Sequence, residues 1–318
     1  MEYLVSSFTT IWNITTWNQL VNFKIILLSI IIEAFPFLLL SVIISSLLNN
    51  FVSENSLRNI IPKDNLLSII IACFLGLLFP VCDCGMVPIV RRLILKGIPL
   101  PAGIAFMLAA PIVNPVVGTA TAFAFQNNSN VVLLRLGVAL IVAFCTGIII
   151  NVFFKGSELK ALSQIQSHAH GCCQHVTANH IDCSLTNKIF NTIRDASNEF
   201  FEMGKYLFMG AMLGALSQIV VPHEMLVTLG QHSFLSIGAM MLFAFFISVC
   251  SAADAFIAAS FNANFTVGSL VAFMVFGPMI DLKNILMLLH TFHTRFVVCL
   301  ILIIIILCSS AAYIINIV

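Results

Sequence analysis

Eight stretches of about 20 mostly apolar residues run through this chain, at 23–48, 66–95, 101–125, 131–154, 200–221, 234–261, 266–289 and 295–317. That is the length a helix needs to cross the hydrocarbon of a bilayer, where every backbone N–H and C=O must be paired within the protein. Composition points the same way: 60% of the 318 residues are hydrophobic, 8% are charged, and the mean hydropathy is +1.07. The expected fold is an all-α polytopic membrane protein, one membrane domain with about eight transmembrane helices, surrounded by lipid. A net charge of +1 and the lack of a basic tract give no reason to expect nucleic acid as a partner. The first twenty residues lack a basic start with a compact apolar run, so no cleavable signal peptide is expected. Trp12 and Trp17 suit a membrane surface ahead of the first span.

Residues Phe79 to Pro115 depart from a plain span. They set Cys82, Asp83, Cys84, Arg91, Arg92 and a series of prolines into otherwise apolar sequence. On a regular helix, Cys82 and Cys84 would stand about 200° apart. They face the same way only if the backbone is extended or unwound, and Pro80, Gly85 and Pro88 are the residues that would break a helix there. In a bilayer such a break is tolerated where neighbouring protein or a water-filled cavity satisfies the freed backbone groups. Cys82-Asp83-Cys84-Gly85 is therefore read as the lining of a site, the plainer alternative being two small buried hydrophobes beside a kink.

A polar segment, 155–199, separates a first half at 1–154 from a second at 200–318, and the halves resemble each other. Glu33 aligns with Glu202, Cys82 with Cys250 and Asn114 with Asp281, at offsets of 169, 168 and 167 residues. Such drift is what an old duplication leaves. Transporters built from repeats hold their substrate at the repeat interface near the bilayer midplane, in interrupted helices. Plain spans, four per half, make the repeats parallel, and an odd effective number makes them inverted; the sequence leaves both open, and the broken stretches are equally consistent with re-entrant segments.

The motif order is CxCG at Cys82, Pro88, LKG with Pro99, and Pro-x-x-Asn-Pro at Pro111 to Pro115. It resembles the bacterial permease family that includes arsenical permeases and copper/zinc efflux transporters. SVCSAADAFIAASF from Ser248 and FGPMIDLKN ending at Asn284 resemble the second half of the same family. The matches cover the chain from Glu33 to about His293. The resemblance implies a multi-pass permease of the bacterial inner (cell) membrane that exports a soft ion, and not an enzyme.

The polar segment holds the second constellation: His168, His170, Cys172, Cys173, His175, His180, Asp182 and Cys183. Imidazole and thiolate suit zinc and copper, and sulfur favours Cu(I). The spacing matches no closed zinc-finger site. A flexible shared-ligand cluster on the cytoplasmic side is expected, sensing metal or delivering it to the membrane site.

Each polar residue within a span needs a reason. Cys250 and Asp254 are four apart and would share a helical face. Asn114 and Asp281 form a symmetric pair, and Asn114 equally suits carbonyls freed by Pro111 and Pro115. Glu33 and Glu202 are read as gating or proton-coupling groups, or as plain interfacial residues. His290 and His293, three apart, form a ligand pair or proton relay, or lie at a wet surface beside Arg295. Lysine and arginine in the short loops put both termini and the central segment in the cytoplasm if every span is simple.

The expected function is export of copper or zinc through Cys82, Asp83 and Cys84, helped by Asn114, Cys250, Asp254 and Asp281. Thiolates lose protons to bind metal and regain them on release, so coupling to proton flow is natural. Copper or zinc is the substrate or a regulatory ligand, and no cofactor for catalysis is expected. No phosphate-binding GxxxxGK[ST] loop occurs, which argues against nucleotide hydrolysis by this chain. The alternatives are efflux of trivalent organoarsenicals and, in another class, a membrane dithiol oxidoreductase or metal sensor. A homo-oligomer is left open.

Overall fold

The computed structural model describes residues 2–51, 65–78, 82–126, 130–154, 185–220 and 233–317. The His/Cys cluster at 168–183 lies outside them. The first half contains α1 (Glu2–Phe51), α2 (Asn65–Leu78), α3 (Asp83–Leu95), α4 (Leu100–Ala109), α5 (Pro115–Ala124) and α6 (Asn130–Phe153). The second contains α7 (Leu185–Val220), α8 (Ser233–Ile247), α9 (Asp254–Ser260), α10 (Val267–Met279), α11 (Leu282–Thr291) and α12 (Thr294–Ile317). No strand occurs among the described residues. Each half is a long helix, two broken pairs and a final long helix.

The breaks follow local chemistry. Gly97, at φ 97°, takes the left-handed conformation that ends α3. Asn114 caps α5 through its side-chain oxygen, and Pro115 sits in the first turn, where its missing N–H costs nothing. Asp281 caps α11 in the same way.

Packing gives the direction of each piece. The start of α2 meets the start of α4 across Gly147 of α6, where an added Cβ would stand 2.9 Å from Ile69 Cγ2 and 3.2 Å from Ala105 Cβ. Their ends meet where Gly76 closes on Ala110, so α2 and α4 run parallel. Gly103, near the start of α4, packs on Ile94, near the end of α3. Hence α2 enters the protein, the chain turns at Cys82, and α3 returns to the face from which α2 came. The second half repeats this arrangement. Ser236 and Ser269 share a hydroxyl hydrogen bond of 2.7 Å at the starts of α8 and α10, and Gly277 meets Ala244 near their ends. Phe261, just past α9, folds back to 5.7 Å from Phe243. Helices α2 with α3 and α8 with α9 are thus re-entrant hairpins, while the other six stretches run from one face of the protein to the other, three in each half.

An odd number of crossings makes the repeats inverted, and the matching helices run antiparallel. Along α1 and α7, Ser46 bonds Thr192, Phe35 meets Phe200, and Ile30 packs with Ala211 and Ala215. The end of α6 meets the start of α12 through Phe154 and Phe296, 5.1 Å apart. Among the described residues, four stretches are long and apolar enough to cross by length and composition: Leu20–Leu47, Asn130–Phe153, Val267–Thr291 and Thr294–Ile317.

Two expectations change. The termini lie on the face opposite the ends joined by the central segment, because two of the eight stretches do not cross. Residues 185–199, read from sequence as loop, are the first turns of α7. They are held by the Ser46 hydroxyl to Thr192 O at 2.7 Å and the Ser45 hydroxyl to Glu199 at 3.1 Å.

Candidate functional site

The two hairpin tips and the break before α11 come together inside the protein. The N-cap position of α3 is Cys82, in extended conformation, and this turn is what brings the thiols to one side. Cys82 Sγ, an Asp83 carboxylate oxygen and Cys84 Sγ all lie within 4.8 Å of one another. Asp83 and Cys84 are buried and Cys82 is half-buried. A cavity of about 10 Å³ is lined by these three residues, by Cys250 from the opposite tip, by Ile30, Glu33, Ala34 and Phe37 of α1, and by Lys283 of α11.

Below the tip, Asp281 is fixed from three sides. It accepts from the Asn284 amide at 2.6 Å and the Ser248 hydroxyl at 2.8 Å, and pairs with Lys283 Nζ at 3.3 Å. Ser248 holds a positive φ of 52°, costly for a residue with a side chain, and sits where its hydroxyl reaches Asp281. One oxygen of Asp83, Oδ2, is buried without a hydrogen-bond partner. A buried oxygen without a donor, on a residue that lines the cavity, is an acceptor open to a ligand.

The other expected residues divide. Asn114 is a structural cap: its oxygen accepts from Val117 N at 2.8 Å, and its amide donates to Ala110 O and Pro111 O, the carbonyls freed by the break. Asp281, its repeat counterpart, also caps a half-helix but borders the cavity through Lys283. Asp254 shares a helical turn with Cys250, its amide donating to Cys250 O at 3.0 Å, but only Cys250 lines the cavity. It pairs with Arg135 at 2.8 Å in the interior, where the same guanidinium donates to Ser251 O at 2.7 Å and Thr121 Oγ1 at 2.8 Å.

Glu202 and His290 are brought together. His290 Nε2 is 2.7 Å from Glu202 Oε1, its ring stacks on Tyr206 at 4.5 Å, and Arg91 approaches Glu202 at 3.7 Å. Beside them Arg92 pairs with Glu199 at 3.5 Å. His293 is exposed at the start of α12, apart from the Tyr206 stack. Sequence reasoning missed Lys283, Arg135, Glu199 and Ser248. The signal for the two cations was an unopposed charge within an apolar stretch, which needs a buried partner.

A cavity at the meeting point of two inverted repeats, lined by thiols and carboxylates, is the architecture of a carrier. The family model ArsP_1, described as "Predicted permease", matches residues 19–317, almost the whole chain. The chain belongs to this permease family. The permease is 42% identical over 302 residues to the "UPF0718 protein YcgR" of Bacillus subtilis (strain 168), covering 95% of this chain and 99% of that one. It is 40% identical over 272 residues to a Streptococcus mutans protein named as a "two-component membrane permease complex subunit", covering 86% and 87%. No solved structure matches the permease. The family and the Streptococcus mutans relative are named as permeases, so it is a multi-pass membrane transporter and not an enzyme.

Proposed function

We propose that the permease exports a soft metal ion, copper or zinc, through the site at the hairpin tips. The observation that carries this reading is the convergence of Cys82 Sγ, an Asp83 oxygen and Cys84 Sγ within 4.8 Å. Two thiolates and a carboxylate within reach of one ion suit Zn²⁺, and the sulfurs alone suit Cu⁺. Lys283 offsets one of the carboxylates Asp83 and Asp281, and Glu33 adds another negative charge, so the formal balance favours a cation.

The sidedness of charge gives the direction. Lys24 lies toward the N-terminal face, and Arg135 and Lys283 are buried. The remaining lysines and arginines belong to the opposite face, on helix ends there or in the segments that connect them. That face is cytoplasmic by the positive-inside rule. The segment from 155 to 184 then lies in the cytoplasm, where His168, His170, Cys172, Cys173, His175, His180, Asp182 and Cys183 gather cargo for the hairpin that opens on the same side. Arg91, Arg92, Glu199, Glu202 and His290 close the cytoplasmic end beneath the cysteines. Glu33, in the cavity wall, is the group placed to exchange protons with the thiols, and His290 does so at the entrance.

A second reading, export of trivalent arsenicals, draws on two features of the same cavity. Cys250 supplies a third thiol, and Lys283 places a positive charge that a neutral arsenical would tolerate better than a metal ion. The test is growth and cell-associated metal in a copper- and zinc-sensitive bacterial strain expressing the permease, challenged with copper, zinc or methylarsenite. Lower cell copper or zinc, lost on Cys82→Ser with Cys84→Ser, is the expected result. Protection against methylarsenite alone moves the substrate to the second reading, and protection that survives both substitutions removes the site assignment.

A further inference from the structure

We propose that Lys283 is a tethered counter-cation that takes the place of the transported ion: its ammonium rests on Asp281 when cargo is bound and moves to Asp83 when cargo leaves. This rests on the reading that Cys82, Asp83 and Cys84 hold a cation.

Four observations carry it. Lys283 is buried, with only 4% of its surface exposed, in a wall of the cavity that contains the cysteines. A buried ammonium requires an anion at every stage, and it has one in Asp281 at 3.3 Å. Asp281 cannot follow a moving partner, because Ser248 and the Asn284 amide hold both of its oxygens. Asp83 Oδ2, by contrast, is buried and unpartnered, an acceptor that either a metal ion or an ammonium would satisfy.

Geometry makes the two occupants exclusive. The cavity is small, and Asp83 Oδ2 is one unpartnered acceptor beside it that either occupant would take. The backbone of Lys283 is fixed by α7, since a Cβ at Gly210 would lie 2.6 Å from Lys283 Cα. Movement is therefore confined to the flexible four-carbon stem, which swings the charge without disturbing α11. An arriving cation repels the ammonium toward Asp281 and takes the Asp83 oxygen. Once the ion departs, the ammonium reaches that oxygen and obstructs rebinding. The ammonium keeps its own proton throughout; the second charge of a divalent ion is met by the proton that a thiol releases on binding and regains on release.

The test compares the full-length wild type with Lys283→Met combined with Asp281→Asn, which removes one charge of each sign and keeps an asparagine at the helix cap. Zinc alone is the probe, measured by equilibrium binding in detergent and by release from preloaded proteoliposomes. The expected result is zinc binding at least tenfold tighter in the double variant, with release slowed by a similar factor. Wild-type affinity and wild-type release in the folded double variant overturn the role of Lys283. Zinc binding by neither protein overturns the cation site itself, a different failure recognised in the wild-type data.

Discussion

Arg135 is among the largest fully buried side chains of the described residues, and its setting shows what a charge inside this protein requires. Its guanidinium joins Thr121 of the first half to Asp254 and the Ser251 carbonyl of the second, so one residue ties the two repeats at the junction of α5 and α9. Removing one partner leaves the other charge buried and unpaired. Asp254→Asn is expected to cost roughly 3–5 kcal/mol, read as a lower unfolding temperature in detergent, whereas Arg135→Leu with Asp254→Leu is expected to lose less. A double variant as unstable as the single one would show that the pair does more than neutralise itself. At this scale the sequence singled out Cys82, Asp83, Cys84 and Asp254 but missed the buried charges Arg135, Lys283 and Glu199. Cys82, Asp83 and Cys84 were legible because a CxC in apolar sequence demands an unwound backbone. Helical spacing put Asp254 one turn from Cys250, as the bond from its amide to Cys250 O shows, but could not name Arg135 as the partner of its carboxylate. Asn114→Ala, which deletes a cap, is expected to destabilise by about 0.5–2 kcal/mol and to leave zinc binding unchanged, a pairing that separates it from the cysteines.

The hairpins decide the shape of the pathway. Helix α2 has 14 residues and α3 has 13, each too short to cross a bilayer that asks for about 20. Placed end to end they would make one broken span, and their apolar content fits that arrangement equally well. The glycines decide otherwise: Gly76 admits Ala110, Gly103 admits Ile94 and Gly147 admits Ile69, and these contacts form only when α2 and α4 are parallel. The break was therefore readable in Pro80, Gly85 and Pro88, and the reversal was not, because hydropathy carries no sign of direction. Two predictions belong here. Gly210→Val drives a side chain into the backbone of Lys283, with an expected loss of about 1–3 kcal/mol on thermal unfolding. Charge reversal of Arg92 alone, Arg92→Glu, opposes Glu199 and, in the proposed orientation, opens the cytoplasmic end. Labelling of Cys82 by a membrane-impermeant maleimide in inside-out vesicles is expected to accelerate, and to slow again when Glu199→Arg restores a pair. Equal labelling in all three proteins would remove Arg92 and Glu199 from the gate.

For the whole molecule, three crossings per half place both termini on one face and the 155–184 segment on the other. Protease or antibody access in sealed cells is expected to reach a tag at either terminus but not one inserted near His168, and the reverse pattern would overturn the orientation. The sequence by itself determined that this chain is an all-helical membrane protein and that its helices break at the cysteine and proline motifs, and it led to the proposal of two related halves with a soft-ligand site at the first break. These follow from hydropathy, residue chemistry and spacing, which are local properties. Only the tertiary structure decided that the repeats are inverted, that two of eight apolar stretches turn back, and that Lys283 rather than Asp254 shares the cavity with the thiols. Direction and partnership are set by which glycine admits which neighbour and which buried charge finds which counter-charge, contacts between residues far apart in the chain that no local pattern encodes.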